Sequence, residues 1–133
     1  MKPEPEWLLP EVVVAVHRAL IAEHGGADGV RDRDLLESTL ARPKNLFVYA
    51  EEEVSLFDLA ASYAYGFARN HCFVDGNKRV AFTMALTFLD LHGFRLEAPR
   101  EERVLTFLRL AAGEVSEADL SHWLEKSSRA ILR

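Results

Sequence analysis

SLFDLAASYAYGFARNHCFVDGNKRVAFTMALTFLDLH, running from Ser55 to His92, is two apolar runs around a polar insert. Ser55, with Asp58 three residues on, resembles a capping box and opens a helix that continues to about Asn70. That helix is apolar nearly all round, which predicts a course through the centre of the fold. Val80 to His92 is again almost wholly apolar, and Gly93 suits the C′ position that ends it. Between the two, HCFVDGNKR (His71 to Arg79) puts an imidazole, a carboxylate, a glycine, an amide and two adjacent cations into nine residues. Two buried helices meeting at this loop place it at the mouth of the core.

Outward from this centre the pattern stays helical. Pro10 to His24 carries Val12, Val13, Val16 and Leu20 on one face, with Pro10 as a first helical residue and Gly25-Gly26 as a stop. Asp32 caps a short second helix, Arg33 to Ala41, which Pro43 is expected to end. Asn45 to Ala50 reads as a short strand, a flap or a loop. Phe94 to Glu97 suits a brief extended link, and Arg100–Ala112 and Ser116–Ser128 read as amphipathic helices, the latter capped by Ser116. With no repeat, linker or low-complexity tract, the expectation is an all-α domain of about six helices over residues 1–133.

Composition narrows the function classes. Of 133 residues 49% are hydrophobic and 28% charged, an ordinary globular balance. A net charge of -5 argues against a nucleic-acid binder, which needs surplus Lys and Arg against phosphates. The one cysteine, Cys72, excludes an intrachain disulfide framework and a cysteine-only zinc site, and suits a reducing cytoplasm. His17, His24, His92 and His122 have no metal-ligand spacing. MKPEPEWLLPE lacks a secretory h-region, and no apolar run has the length of a membrane span. A cytoplasmic protein is expected.

The chemistry of the insert follows from its residue types. A helix restarting near Gly76 offers free N–H groups and a positive dipole end to an anion. Gly76 allows close backbone approach, Asn77 adds an amide donor, and Lys78 and Arg79 can neutralise phosphate oxygens. Asp75 beside them can hold Mg²⁺ bridging two phosphates. His71 is the side chain suited to take a proton from an alcohol near neutral pH. Together these suit transfer of a phosphate-containing group to a hydroxyl. Singly, each has an ordinary role: His71 as a C-terminal cap, Asp75 as an N-cap, Lys78 and Arg79 as solvated charges. The combination carries the case.

That combination resembles the Fic/Doc superfamily signature, His-x-Phe-x-Asp/Glu-Gly/Ala-Asn-x-Arg. GGADGVRDRDLLESTLARPKN, the stretch from Leu59 to Phe94, and the tail AAGEVSEADLSHWL resemble its Doc branch, covering about Trp7 to Leu124. AMP-transferring Fic enzymes usually have Gly-Asn-Gly-Arg and a second arginine three residues later. Here Lys78 and Phe82 hold those positions, as in Doc-type proteins. The resemblance implies a kinase that passes the ATP γ-phosphoryl group to a threonine of elongation factor Tu and stops translation. It assigns His71 as general base, Asp75 as Mg²⁺ ligand, and Gly76, Asn77, Lys78 and Arg79 as the phosphate-binding turn.

Arg69 matches a further basic contact to nucleotide, or alternatively a cation on a helix C-terminus. Phe73 reads as a structural plug. Cys72 stands where the family commonly has proline and reads as packing, because the chemistry needs no covalent intermediate. Asn45–Ala50 falls where Fic-type folds carry a flap that aligns the target segment, against an ordinary inter-helix connection with Phe47 and Tyr49 packed on the core. The Ser/Thr-x-x-x-Glu-Gly/Asn brake of self-restraining Fic proteins is incomplete, since Lys126 follows Ser121–Glu125. The resemblance therefore implies a toxin neutralised by a Phd-like antitoxin whose tail folds into an exposed apolar groove. Two alternatives stay open: nucleotidyl transfer to a protein hydroxyl, and an inactive antitoxin-binding module.

Overall fold

The computed structural model describes residues 3–131, and among them six helices and two three-residue strands alternate little: the chain is all-α in class. The helices are α1 (Pro10–His24), α2 (Arg33–Tyr49), α3 (Leu56–Asn70), α4 (Asn77–Leu91), α5 (Arg100–Ala111) and α6 (Glu117–Ser127). Strand β1 (Phe94–Leu96) follows α4, and β2 (Ser128–Ala130) follows α6.

α3 is the central helix. Ten of its fifteen residues are buried, Tyr63 and Phe67 completely, and it packs against α2, α4, α5 and α6. Its start is the full capping box: Ser55 Oγ accepts from the Asp58 N–H and Asp58 Oδ2 from the Ser55 N–H. α4, the second buried helix, lies along it and contributes Val80, Met84, Phe88 and Leu89 to the core. The segment ahead of α1 is tied onto this pair. Trp7 packs on Phe47 and Phe88, and the Leu8 N–H donates to Tyr63 Oη at 3.0 Å.

Two expectations fail here. Pro43 does not end the second helix, which continues to Tyr49. A proline inside a helix costs about 3 kcal/mol, but Leu36, Leu40, Pro43 and Phe47 form one stripe across it, the first three buried and Phe47 packed against the core. Burying that stripe offsets the lost backbone bond. Asn45–Tyr49 is consequently the last helical turn and neither flap nor strand nor loop, with Ala50 as its extended cap. Phe47 packs as expected, whereas Tyr49 is 78% exposed.

A third feature was not anticipated. Phe94–Glu97 does not run alone: β1 pairs antiparallel with β2, Phe94 opposite Ala130 and Leu96 opposite Ser128. The pairing fastens the chain after α6 back to the exit of α4. Among the described residues no helix is long and apolar enough to cross a membrane.

Candidate active site

α3 ends at His71, the one described non-glycine residue with positive φ, at φ 50 and ψ 55. The left-handed conformation is unfavourable for a residue with a Cβ and persists where surroundings impose it. Arg31 supplies the constraint, its Nε donating to the His71 carbonyl at 2.7 Å and its Nη2 to that of Asn70 at 3.2 Å. The backbone of His71 is thereby pinned while its imidazole stays exposed.

The connection between α1 and α2 holds the rest of the loop. Arg31 and Asp32 N–H groups both donate to the Cys72 carbonyl, Val74 N–H donates to Gly29 O, and Val30 bridges Phe73. Phe73 is buried and stacks on the ring of His17 at 3.9 Å. His17 is itself 1% exposed and bonds through Nε2 to the Asp75 carbonyl at 2.8 Å. Scattered histidine spacing gave no hint of this part. Cys72 is fully buried with Sγ 3.3 Å from Thr39 Oγ1, and burial pushes its thiol pKa up, which agrees with a packing role.

α2, α3 and α6 each begin with a side-chain cap, from Asp32, Ser55 and Ser116. α1, which starts at Pro10, and α5, which follows Pro99, have none, and neither does α4, which follows Gly76. The first-turn N–H groups of Asn77, Lys78 and Arg79 thus lack a capping side chain at the positive end of the helix dipole, which favours a bound anion. Gly76 is left-handed at φ 78, so the turn into α4 suits glycine. Asn77 spends its side chain on the loop: Oδ1 accepts from the Phe73 N–H and Nδ2 donates to the Phe73 carbonyl. With one amide N–H given to Phe73, its backbone N–H and its second amide N–H remain as donors for an anion.

Asp75 is exposed, with Oδ1 accepting from its neighbour Gly76 N–H at 2.8 Å and Oδ2 from Ala27 N–H at 3.2 Å. Each oxygen keeps lone pairs for a further contact. Among the described residues no three His, Cys, Asp or Glu side chains converge on a metal position. One hard carboxylate beside a helix start that favours anions nevertheless fits Mg²⁺, which is commonly held by one or two carboxylates plus substrate phosphates.

His71, Asp75, Gly76, Asn77, Lys78 and Arg79 all line one cleft of about 810 Å³. Its other wall is α5, with Arg100, Arg103, Val104, Phe107, Leu108 and Ala111, and Phe82 of α4 lies between. The α5 residues escaped the sequence reading, because an amphipathic helix distant along the chain carries no motif. Arg69 is not on the cleft: its guanidinium lies over Tyr65, with Nη1 3.2 Å from the phenol oxygen. That favours the ordinary reading of Arg69 as a helix-end cation.

Residues 7–89 match the model of the Fic/DOC family. The chain is 35% identical over 117 residues to "Protein kinase doc" of Escherichia phage P1, a match covering 88% of this chain and 91% of that protein. It is 43% identical over 74 residues to "Toxin Doc" of Mycolicibacterium smegmatis, covering 56% of this chain and 57% of that one.

Proposed function

The chain belongs to the Fic/Doc family, and from that premise we propose that it is a Doc-type toxin kinase acting on a protein hydroxyl. The observation that carries this is the convergence of an exposed imidazole, a carboxylate and the uncapped start of α4 with two cations on one cleft. The likeness to a protein named a kinase, over most of both chains, supports it.

In the proposed reaction ATP lies with its phosphates on the N–H groups of residues 77–79, neutralised by Lys78 and Arg79. The acceptor is a threonine of elongation factor Tu, in the cytoplasm. Its Oγ attacks the γ-phosphorus, the new O–P bond forms as the bond to the β,γ-bridging oxygen breaks, and ADP leaves. The hydroxyl proton passes to His71, whose pinned backbone and exposed ring suit a base that must meet an incoming protein. Asp75 would hold Mg²⁺ together with the phosphates, and the ion would supply charge neutralisation at the transferring group. The apolar end of the cleft, Val104, Leu108 and Ala111, suits the rest of the nucleotide.

A second protein restrains this activity in the same proposal. Val104, Leu105 and Leu108 are exposed on α5, with an i, i+4 pair that an amphipathic Phd-like antitoxin helix can cover.

The test is ATP labelled at either the α or the γ phosphate, incubated with the chain and elongation factor Tu. Transfer from γ alone supports the kinase. Transfer from α assigns nucleotidyl transfer instead, and no transfer by folded protein with Mg²⁺ leaves an antitoxin-binding module. His71→Ala should abolish the signal, and its persistence would remove His71 as the base.

A further inference from the structure

Arg103 reaches the cleft from α5 and places its guanidinium carbon 5.9 Å from the centroid of the Phe82 ring. Its Nε is buried and has no hydrogen-bond partner. A buried donor without an acceptor forfeits a bond that a ligand can restore. Arg100 precedes it by three residues and lines the same cleft.

The part of α5 that lines the cleft carries cations and no carboxylate. Arg100, Arg103, Val104, Phe107, Leu108 and Ala111 follow the three-and-four spacing of one helix side, and all meet the cleft. Glu101 and Glu102 are not on the cleft lining, and Glu102 accepts from the Trp123 indole N–H. Lys78 and Arg79 add two cations from α4, while Asp75 is the one carboxylate on the lining. None of the four cations is ion-paired among the described residues. A chain of net charge -5 thus gathers unneutralised positive charge in one concave place, which attracts an anion carrying several charges.

We propose that Arg103, with Arg100 beside it, is a second phosphate-binding wall. The polyphosphate of the nucleotide is held between the start of α4 and the guanidinium groups of α5. This rests on the cleft being the nucleotide site, as proposed above. A planar guanidinium presents paired donors to phosphate oxygens, which a lysine does not.

The experiment is calorimetric titration of the intact chain with Mg-ATP, AMP and inorganic tripolyphosphate, beside thermal melting. Arg103→Met keeps an apolar stem over Phe82 and removes the charge; Arg103→Lys keeps the charge and removes the fork. Arg103→Met is expected to weaken ATP and tripolyphosphate about tenfold, the loss of one charge-assisted hydrogen bond, and AMP far less. Arg103→Lys is expected to fall between, and Arg100→Met, on an exposed position, to weaken tripolyphosphate with an unchanged melting point. Unaltered tripolyphosphate affinity in folded Arg103→Met and Arg100→Met overturns the proposal, as does an equal loss for AMP. If wild type binds neither ATP nor tripolyphosphate, the cleft is not the nucleotide site and both readings fall. If it binds them through Arg103 but transfers no γ-phosphate, the kinase reading fails and the phosphate wall stands.

Discussion

His17 and Phe73 are stacked face to face, ring centroids 3.9 Å apart and planes 10° from parallel. The same imidazole holds the Asp75 carbonyl through Nε2 at 2.8 Å. A residue of α1, far back in the chain, thus holds both the Phe73 ring and the backbone of Asp75.

The two roles separate by substitution. His17→Phe keeps the stack and loses the bond to Asp75, so stability should fall by only about 1 kcal/mol while the proposed phosphoryl transfer drops roughly tenfold, one hydrogen bond of positioning. His17→Ala removes the ring from a buried position and should cost about 3 kcal/mol of stability. Equal activity in wild type and His17→Phe would show that the bond to Asp75 is incidental.

Asn77 closes the loop with two bonds to the Phe73 backbone. Asn77→Ala should lower stability by about 2 kcal/mol, near 1 for each bond lost in a partly buried place. Asn77→Asp should behave almost as badly, since the new carboxylate oxygen faces the Phe73 carbonyl with no proton to offer. Chemical denaturation of the three proteins decides it: if Asp substitutes freely, the Nδ2 bond contributes nothing.

Gly26 lies against the carboxylate of Asp75, the proposed Mg²⁺ ligand. A Cβ there would lie 2.7 Å from Asp75 Oδ2, and its φ of 115 already disfavours any other residue. Gly26→Ala is therefore expected to displace the carboxylate and raise the Mg²⁺ concentration needed for half-maximal transfer several-fold. An unchanged Mg²⁺ dependence would free Asp75 from that role.

How far the sequence reaches is visible in these same residues. His71, Asp75 and the start of α4 were legible because their chemistry is local, within one loop between two apolar runs. The helix starts at Ser55 and Ser116 were legible for the same reason: a cap is a contact between residues three apart. His17, Gly26 and Arg31 act on the loop across forty residues or more of chain, and nothing in their own neighbourhood marks that. Gly26 read only as a helix stop, and Arg103 only as part of an amphipathic helix. Pro43 misled in the opposite sense. Its local preference is real, and the tertiary stripe from Leu36 to Phe47 overrides it.

Tyr63 links the core to a measurable pH dependence. Burial pushes its phenol up to about 12, from an ordinary 10.0, against the smaller opposing effect of the Leu8 N–H that donates to it. The folded state thus keeps the phenol proton where the unfolded chain releases it. This contribution is whole below pH 10 and falls as pH rises from 10 toward 12, by about 1.4 kcal/mol at pH 11. Tyr63→Phe lacks the titrating group and the bond to Leu8, so it should start about 1 kcal/mol less stable at neutral pH. The gap should then close on the way to pH 11, because wild type loses stability that the variant never had. Other titrating groups, the lysines among them, are common to both proteins and cancel in the difference. Urea unfolding of the pair at pH 8, 10 and 11 reads it directly, and parallel curves across that range would mean that the Tyr63 phenol titrates alike in the folded and unfolded chain.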